Sequence, residues 1–353
     1  MKLDSMAHIK KIDTERMIDF LLSFPTQCRD AVFIGENTFV SKRYRKRFNN
    51  VVFTGLGGSA IGADVIKAYI GDEVGVPIFV NRDYKMPGFV DKRSLVFAVS
   101  YSGDTEETLS AYNEAKARGA NIIAVTSGGK IEERALKNQD VVVKMPKGFP
   151  PRCALGYSFI PAVVILSKLG MLRNKSGEIK KAASFLSGLQ EERLGPQVKG
   201  QMNIAKSIAQ KIYRRFPVIY SSFKISGVAT RWRGQLAENS KTLSSTHVFP
   251  EMNHNEIVGW EEPRTLLRNF TAIILKDRDD HPRIKERMRI TASILRKNRF
   301  KTIEIESMGA TLLDRILSLI YIGDFTSFYL AVLNNVDPTP VSRIDYLKKQ
   351  LAK

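Results

Sequence analysis

Apolar residues recur along this chain in two alternating rhythms. Short, nearly uninterrupted runs are β-rich and bounded by Gly, Pro, Asn or Ser: NVVFTG (50–55), VPIFVN (76–81), SLVFAVS (94–100), ANIIAVTS (120–127) and DVVVKMP (140–146). Between them, 59–70, about 105–118 and 130–138 carry apolar residues at helical spacing. Continuous apolar strands separated by helices predict a parallel sheet covered on both faces. Upstream, KIDTERMIDFLLSF (11–24) predicts an amphipathic helix stopped by Pro25.

Gly, Pro and Arg interrupt this rhythm at 147–160. A helix over about 159–171, a linker at 174–178 and helical sequence from about 179 to 212, broken near 194–197, are expected next. The alternation then restarts, with strands at 217–222, within 265–277 and at 301–307, and helices at 226–240, 282–298 and 312–334. A Pro-punctuated turn and a last helix end the chain. This weak internal repeat predicts two similar α/β domains. The expected boundaries are 1–170 for the first domain with its N-terminal helix and 171–212 for a helical connection. The second domain is expected at 213–335, and the terminal turn and helix at 336–353.

Composition changes the picture little until charge is counted. A chain of 353 residues, 43% apolar, supports two ordinary cores. No run of 18 apolar residues and no apolar leader core are present, so a soluble, cytoplasmic protein without membrane attachment is expected. Cys28 and Cys153 match no disulfide or metal spacing, and no metal or cofactor is expected. The formal charge is +19. Such a chain attracts polyanions, yet its basic clusters (41–47, 213–216, 283–289) adjoin apolar positions, and no nucleic-acid-binding signature accompanies them. Specific nucleic-acid binding is therefore not expected.

Two turns carry the candidate chemistry. FTGLGGSAIGADV (53–65) joins a predicted strand to a helix, and such a helix N-terminus suits an anion. No lysine follows Gly62, which argues against a triphosphate loop. GLGGSA (55–60) formally fits a dinucleotide turn, and a tight turn without ligand also fits. The next turn, VSYSGDTEETL (99–109), sets Ser100, Ser102 and Thr105 around another helix start. Capping by Ser102 or Asp104 needs one such residue, not three hydroxyls. Two hydroxyl-rich turns, after the strands at 50–55 and 94–100, favour one compact phosphate.

With PPRCALGYSF (150–159), ENSKT (238–242), PEMNHNEIVGW (250–260) and DPTPVSRIDYLKKQL near the end, the order of motifs resembles the SIS-domain sugar isomerases. Among these the chain is similar to the bifunctional phosphoglucose/phosphomannose isomerases. The resemblance implies two SIS-type three-layer αβα domains, each a mostly parallel, doubly wound, flavodoxin-like sheet flanked by helices. It implies aldose–ketose isomerisation through a cis-enediolate, with Gly58, Ser59, Ser100, Ser102 and Thr105 on the phosphate of a sugar-phosphate substrate. Glu238 is then the proton-transfer base, Arg152 the partner of the enediolate and His254 the ring-opening group, reaching across a homodimer. A lysine near the C-terminus, Lys348 or its neighbour Lys349, assists at the ring. Thr339 and Ser342 are candidates for the small polar residue that gives both C2 epimers room. Two alternatives remain open, a sugar-phosphate-sensing SIS regulator and an isomerase of another sugar phosphate.

Overall fold

The first five apolar runs form one parallel sheet: β1 (Asn50–Thr54), β2 (Ile78–Asn81), β3 (Ser94–Val99), β4 (Asn121–Thr126) and β5 (Val141–Lys144), in the order β2-β1-β3-β4-β5. β1 and β3 are buried along their whole length, as their uninterrupted apolar character requires. The register sets Val51 beside Ile78 on one side and Leu95 on the other. On one face, Val52, Val96, Ala98, Ile122 and Ala124 pack with Ala111, Tyr112 and Ala115 of the helix Glu106–Ala117 and with Ile131 and Ala135 of the helix Gly129–Lys137. The chain leaves β1 toward β2 on one side and β3 toward β4 on the other. Right-handed crossovers therefore put the helix Gly57–Ile70 on the opposite face from Glu106–Ala117.

This computed structural model describes residues 2–351 and separates into two units. The sheet above belongs to Ser23–Phe185, with Thr311–Leu313. The second unit comprises the chain up to Leu22, Leu186–Ala310 and the chain from Asp314 onward. It holds β6 (Phe216–Ser222), β7 (Ser245–Phe249), β8 (Phe270–Lys276) and β9 (Lys301–Glu306), all parallel, in the order β7-β6-β8-β9. This repeats the order of the first four strands, so the internal repeat expected from the pattern is real at the level of topology.

Local differences from the pattern have physical causes. β7 escapes a hydrophobic reading because STHVF sits at a sheet edge with four of its five residues only half-buried. The helix expected at 11–24 is instead two short helices, Met6–Ile12 and Met17–Leu22. Asp13 interrupts them, its carboxylate accepting from the N–H groups of Met17 (2.7 Å) and Ile18 (3.0 Å). Pro25 does not stop a helix. It lies in the first turn of Phe24–Asn37, where a missing N–H costs nothing. The helix expected from 159 begins at Leu155. Most of the expected linker at 174–178 is the first turn of Ser176–Leu189, started by Asn174 Oδ1 accepting from Ser176 N at 2.8 Å.

In the second unit, the helices Ser226–Ser240 and Leu312–Asn334 are joined by a buried polar ladder. Arg231 Nη2 and Nε reach Asp324 at 2.7 and 3.0 Å, and Gln235 donates to the same carboxylate at 3.1 Å. Asn239 donates to Ser327 Oγ at 2.9 Å, and Trp232 Nε1 to the Leu319 carbonyl at 2.8 Å. Burial pushes the Asp324 carboxyl upward, with Arg231 and Gln235 pulling against it. Breaking such a pair leaves a charge without water, so it fixes one packing of the two helices. Among the described residues, Leu312–Asn334 is the one helix long and apolar enough to cross a membrane, but it is almost wholly buried in the protein.

The close approach of these helices depends on Gly323, where a Cβ would lie 2.3 Å from Trp232 Nε1. Gly323→Ala is expected to destabilise the protein by about 1–3 kcal/mol through overpacking. Equilibrium denaturation checks it, and an unchanged midpoint would contradict this packing.

Candidate active site

β1 and β3 are neighbours, and their following helices depart to opposite faces, which leaves a crevice at the carboxyl ends of the two strands. Both hydroxyl-bearing turns lie there. The helix Gly57–Ile70 starts from Leu56, a residue that cannot cap it, so its N-terminal N–H groups receive no side-chain acceptor from that position. Ser59 is buried in the first turn, and Gly58 is half-buried.

In the second turn, Thr105 occupies the N-cap of Glu106–Ala117 but makes no side-chain cap bond. Its hydroxyl meets Ser100 Oγ instead, at 2.9 Å, and Ser100 Oγ also accepts from Gly103 N at 3.1 Å. Ser102, which is exposed, accepts from Asp104 N at 3.3 Å. Neither Ser102 nor Asp104 is the N-cap of Glu106–Ala117, and the hydroxyls cluster at two helix N-termini whose dipoles favour an anion.

A third turn buttresses the second. Ser127 Oγ donates to Tyr101 O at 2.7 Å, and Asp104 Oδ1 accepts from Lys130 N at 3.0 Å. Gly103 has φ of +79°, and a Cβ there would lie 1.8 Å from the Gly128 carbonyl, so no other residue fits. The stretch TSGGK (126–130) that forms this support is itself a Gly- and hydroxyl-rich turn after a strand, a signal the sequence reading did not use.

Arg152 is carried to the same place by contacts that motif spacing does not reveal. Tyr101 extends from the second turn, donates to Pro146 O at 2.9 Å and accepts from Phe149 N at 2.8 Å. Burial raises its phenol above the ordinary range, so it stays neutral and serves both contacts. Gln27 donates to Cys153 O at 2.8 Å from the helix Phe24–Asn37. Pinned on both sides, the turn Pro151–Cys153 lies against Gly58: a Cβ on Gly58 would sit 3.1 Å from both Arg152 Cα and Pro151 O. Arg152 is 4% exposed.

The remaining candidates belong to the second unit. Glu238 is half-buried near the end of the helix Ser226–Ser240, next to Asn239 of the polar ladder. His254 is exposed at the end of the turn Glu251–His254. Buried Met252 anchors that turn, and Asn253 Nδ2 donates to Thr291 Oγ1 at 2.9 Å. Further along, Tyr220 donates to Glu256 at 2.5 Å and accepts from Trp260 Nε1 at 2.8 Å. His254 is therefore an exposed side chain on a firmly held loop. Lys348 and Lys349 lie on the helix Ser342–Leu351, none of whose residues is buried. Thr339 precedes that helix, its N–H on Asp337 Oδ1 at 2.9 Å, and Ser342 begins it.

The structure thus brings Ser59, Ser100, Ser102, Thr105, Gly58 and Arg152 to one strand edge, while Glu238, His254 and Lys348 lie on three separate elements of the other unit. Among the described residues no group of His, Cys, Asp and Glu is arranged to hold a metal ion.

Comparison with known proteins follows this division. The SIS domain model matches residues 46–150, and the model of the bacterial phospho-glucose isomerase C-terminal SIS domain matches residues 201–351. A bifunctional phosphoglucose/phosphomannose isomerase of Caldicellulosiruptor bescii is 45% identical over 341 residues, 96% of this chain and 99% of that protein. One from Aquifex aeolicus is 38% identical, covering 87% of this chain and 91% of its own. The solved C-terminal domain of glucosamine-fructose-6-phosphate aminotransferase from Francisella tularensis superposes with a TM-score of 0.73 over 92% of this chain and 98% of its own, at 12% identity. That last likeness speaks to the fold of two SIS domains alone. With two SIS modules in order and relatives aligned along nearly its whole length, the chain belongs to the family of bifunctional phosphoglucose/phosphomannose isomerases.

Proposed function

We propose that this protein interconverts glucose 6-phosphate and mannose 6-phosphate with fructose 6-phosphate by proton transfer through a cis-enediolate. The observation that carries the reading is the pair of hydroxyl-bearing helix starts at the crevice between β1 and β3, in a chain so similar to isomerases of that name. Ser59, Ser100, Ser102 and Thr105, with the N–H groups around Gly58, hold the substrate phosphate. Hydroxyls and backbone dipoles suit a group that must be both held and released.

The remaining roles follow from the chemistry. The ring is opened by the partner subunit's His254, a side chain able to exchange protons near neutral pH, with Lys348 assisting. Glu238 removes the proton from C2 of the open aldose and returns it to C1, while the hydroxyl proton passes from O2 to O1, so that the C1 carbonyl becomes a hydroxyl and C2 the carbonyl. Arg152 opposes the negative charge of the enediolate. Glucose and mannose phosphates give the same enediolate once the sugar turns about C2–C3, so one base serves both. Thr339 and Ser342 are the small polar residues that leave room for that turn. No step is routed through a metal or cofactor.

A cytoplasmic homodimer completes the reading. Two surface features support the dimer: His254 is exposed on a held loop, and Ile344, Leu347 and Leu351 form an exposed apolar stripe at helical spacing on the last helix.

Four outcomes test the proposal. In a coupled assay across a panel of sugar phosphates, glucose and mannose 6-phosphates turn over in the presence of EDTA. Glu238→Gln loses about 10²–10⁴-fold in kcat while still binding fructose 6-phosphate. An active Glu238→Gln sinks the base, and binding without turnover of any sugar phosphate turns the reading to a sensor. Gly58→Ala pushes Arg152 outward and lowers kcat/KM by about 10–100-fold with little change in thermal stability. Finally, mixing inactive Glu238→Gln and His254→Ala subunits restores about a quarter of wild-type activity, because half the dimers then hold one intact site of two. No restoration after subunit exchange removes the shared site.

A further inference from the structure

The motif ENSKT contains a residue to which the chemistry assigns no role. Lys241 follows the helix Ser226–Ser240 in the left-handed region, with φ of +55°, its N–H closing the helix on Leu236 O. Glycine or asparagine is the economical residue at such a helix end, because a Cβ is strained there. Lysine stands there instead, with a long side chain.

That side chain spans two segments of the same unit. Lys241 Nζ donates to the carbonyl of Glu238 at 2.6 Å and to the carbonyl of Pro340 at 2.7 Å. Neighbouring bonds hold the same junction. Asn334 Nδ2 donates to Ser240 O at 2.9 Å and to Thr242 Oγ1 at 3.1 Å. Asp337 accepts from Thr14 N at 3.2 Å and Thr339 N at 2.9 Å, which shapes the stretch leading to Pro340. Two residues past Pro340 the helix Ser342–Leu351 begins, and none of its residues is buried. Within its unit, the direction of that helix is therefore set at its base, where Lys241 is bonded.

We infer that Lys241 is a positioning residue that ties the backbone of Glu238 to the segment carrying Lys348, and so keeps the two groups at a fixed spacing. This rests on the roles proposed above for Glu238 and Lys348. The tie acts on backbone carbonyls. An ammonium suits the task, since it has three donors and can serve both carbonyls at once.

Lys241→Gly separates this role from a structural one. Glycine relieves the strained φ, so the thermal midpoint stays level or rises. Loss of the tie speeds hydrogen exchange and tryptic cleavage across 342–351 by about tenfold, and kcat falls by about tenfold with KM little changed. Lys241→Arg, which retains a cation with several donors, recovers part of both. Wild-type exchange in the tail of Lys241→Gly overturns the tie, and faster exchange with wild-type kcat overturns the positioning role. Glu238→Gln run in parallel keeps the two readings apart: if that variant is fully active the base assignment fails, while tail exchange in Lys241→Gly still reports the tie.

Discussion

A parallel sheet whose first connection runs one way and whose next runs the other cannot close over the ends of its central strands. In this protein that constraint places the carboxyl ends of β1 and β3 side by side with no helix crossing them. Every feature of the candidate phosphate site depends on it. Two helices begin at the crevice, one with Gly58 and Ser59 in its first turn and the other with Thr105 at its N-cap. The buried apolar strands beneath hold this geometry rigid, since a shift of either strand would break its ladder on both sides.

The two units solve different problems with the same topology. In the first, backbone dipoles and hydroxyls are gathered at one edge, and Tyr101 and Gln27 fix the turn with Arg152 against Gly58. In the second, side chains on separate elements must be held from behind. Asp324 does this for the helix of Glu238, accepting from Arg231 and Gln235 in a buried position. The ladder runs along the helix from Arg231 to Asn239, so it stiffens the helix up to the residue beside Glu238.

How far this was legible in the sequence follows from which forces leave a local trace. Strands that are wholly or almost wholly buried show themselves as apolar runs, and β1, β3 and β4 are found where such runs lie. β7 leaves none, because an edge strand with polar residues owes its place to pairing with β6 rather than to burial. Pro25 was read as a stop because a residue that ends one helix also suits the first turn of the next, and the break at Asp13 lies inside an otherwise helical spacing. In the site, Ser100 and Thr105 were legible because their turn is short and local. Tyr101, Gln27 and Lys241 act on carbonyls 45, 126 and 99 residues away, and nothing in their own surroundings announces the partner.

The charge of the chain gains a meaning from the same geometry. The cluster at 41–47 precedes β1, so it lies at the amino end of the strand whose carboxyl end meets the hydroxyl turns. Its exposed lysine and arginine side chains are thus on the wrong edge of the sheet to contact a phosphate there, and the cradle itself contains no lysine. On the proposed reading, binding and attraction are separated: hydroxyls and backbone dipoles hold the phosphate at short range, while the excess of +19 acts as a field that favours anions and fades over roughly 8–10 Å at ordinary ionic strength. A cradle built from lysines would add to the same attraction but would also hold substrate and product phosphates alike more tightly, binding that raises no rate once the site is filled. The hydroxyls and backbone dipoles of the candidate phosphate turns are therefore consistent with turnover, and the excess of positive charge elsewhere is consistent with capture.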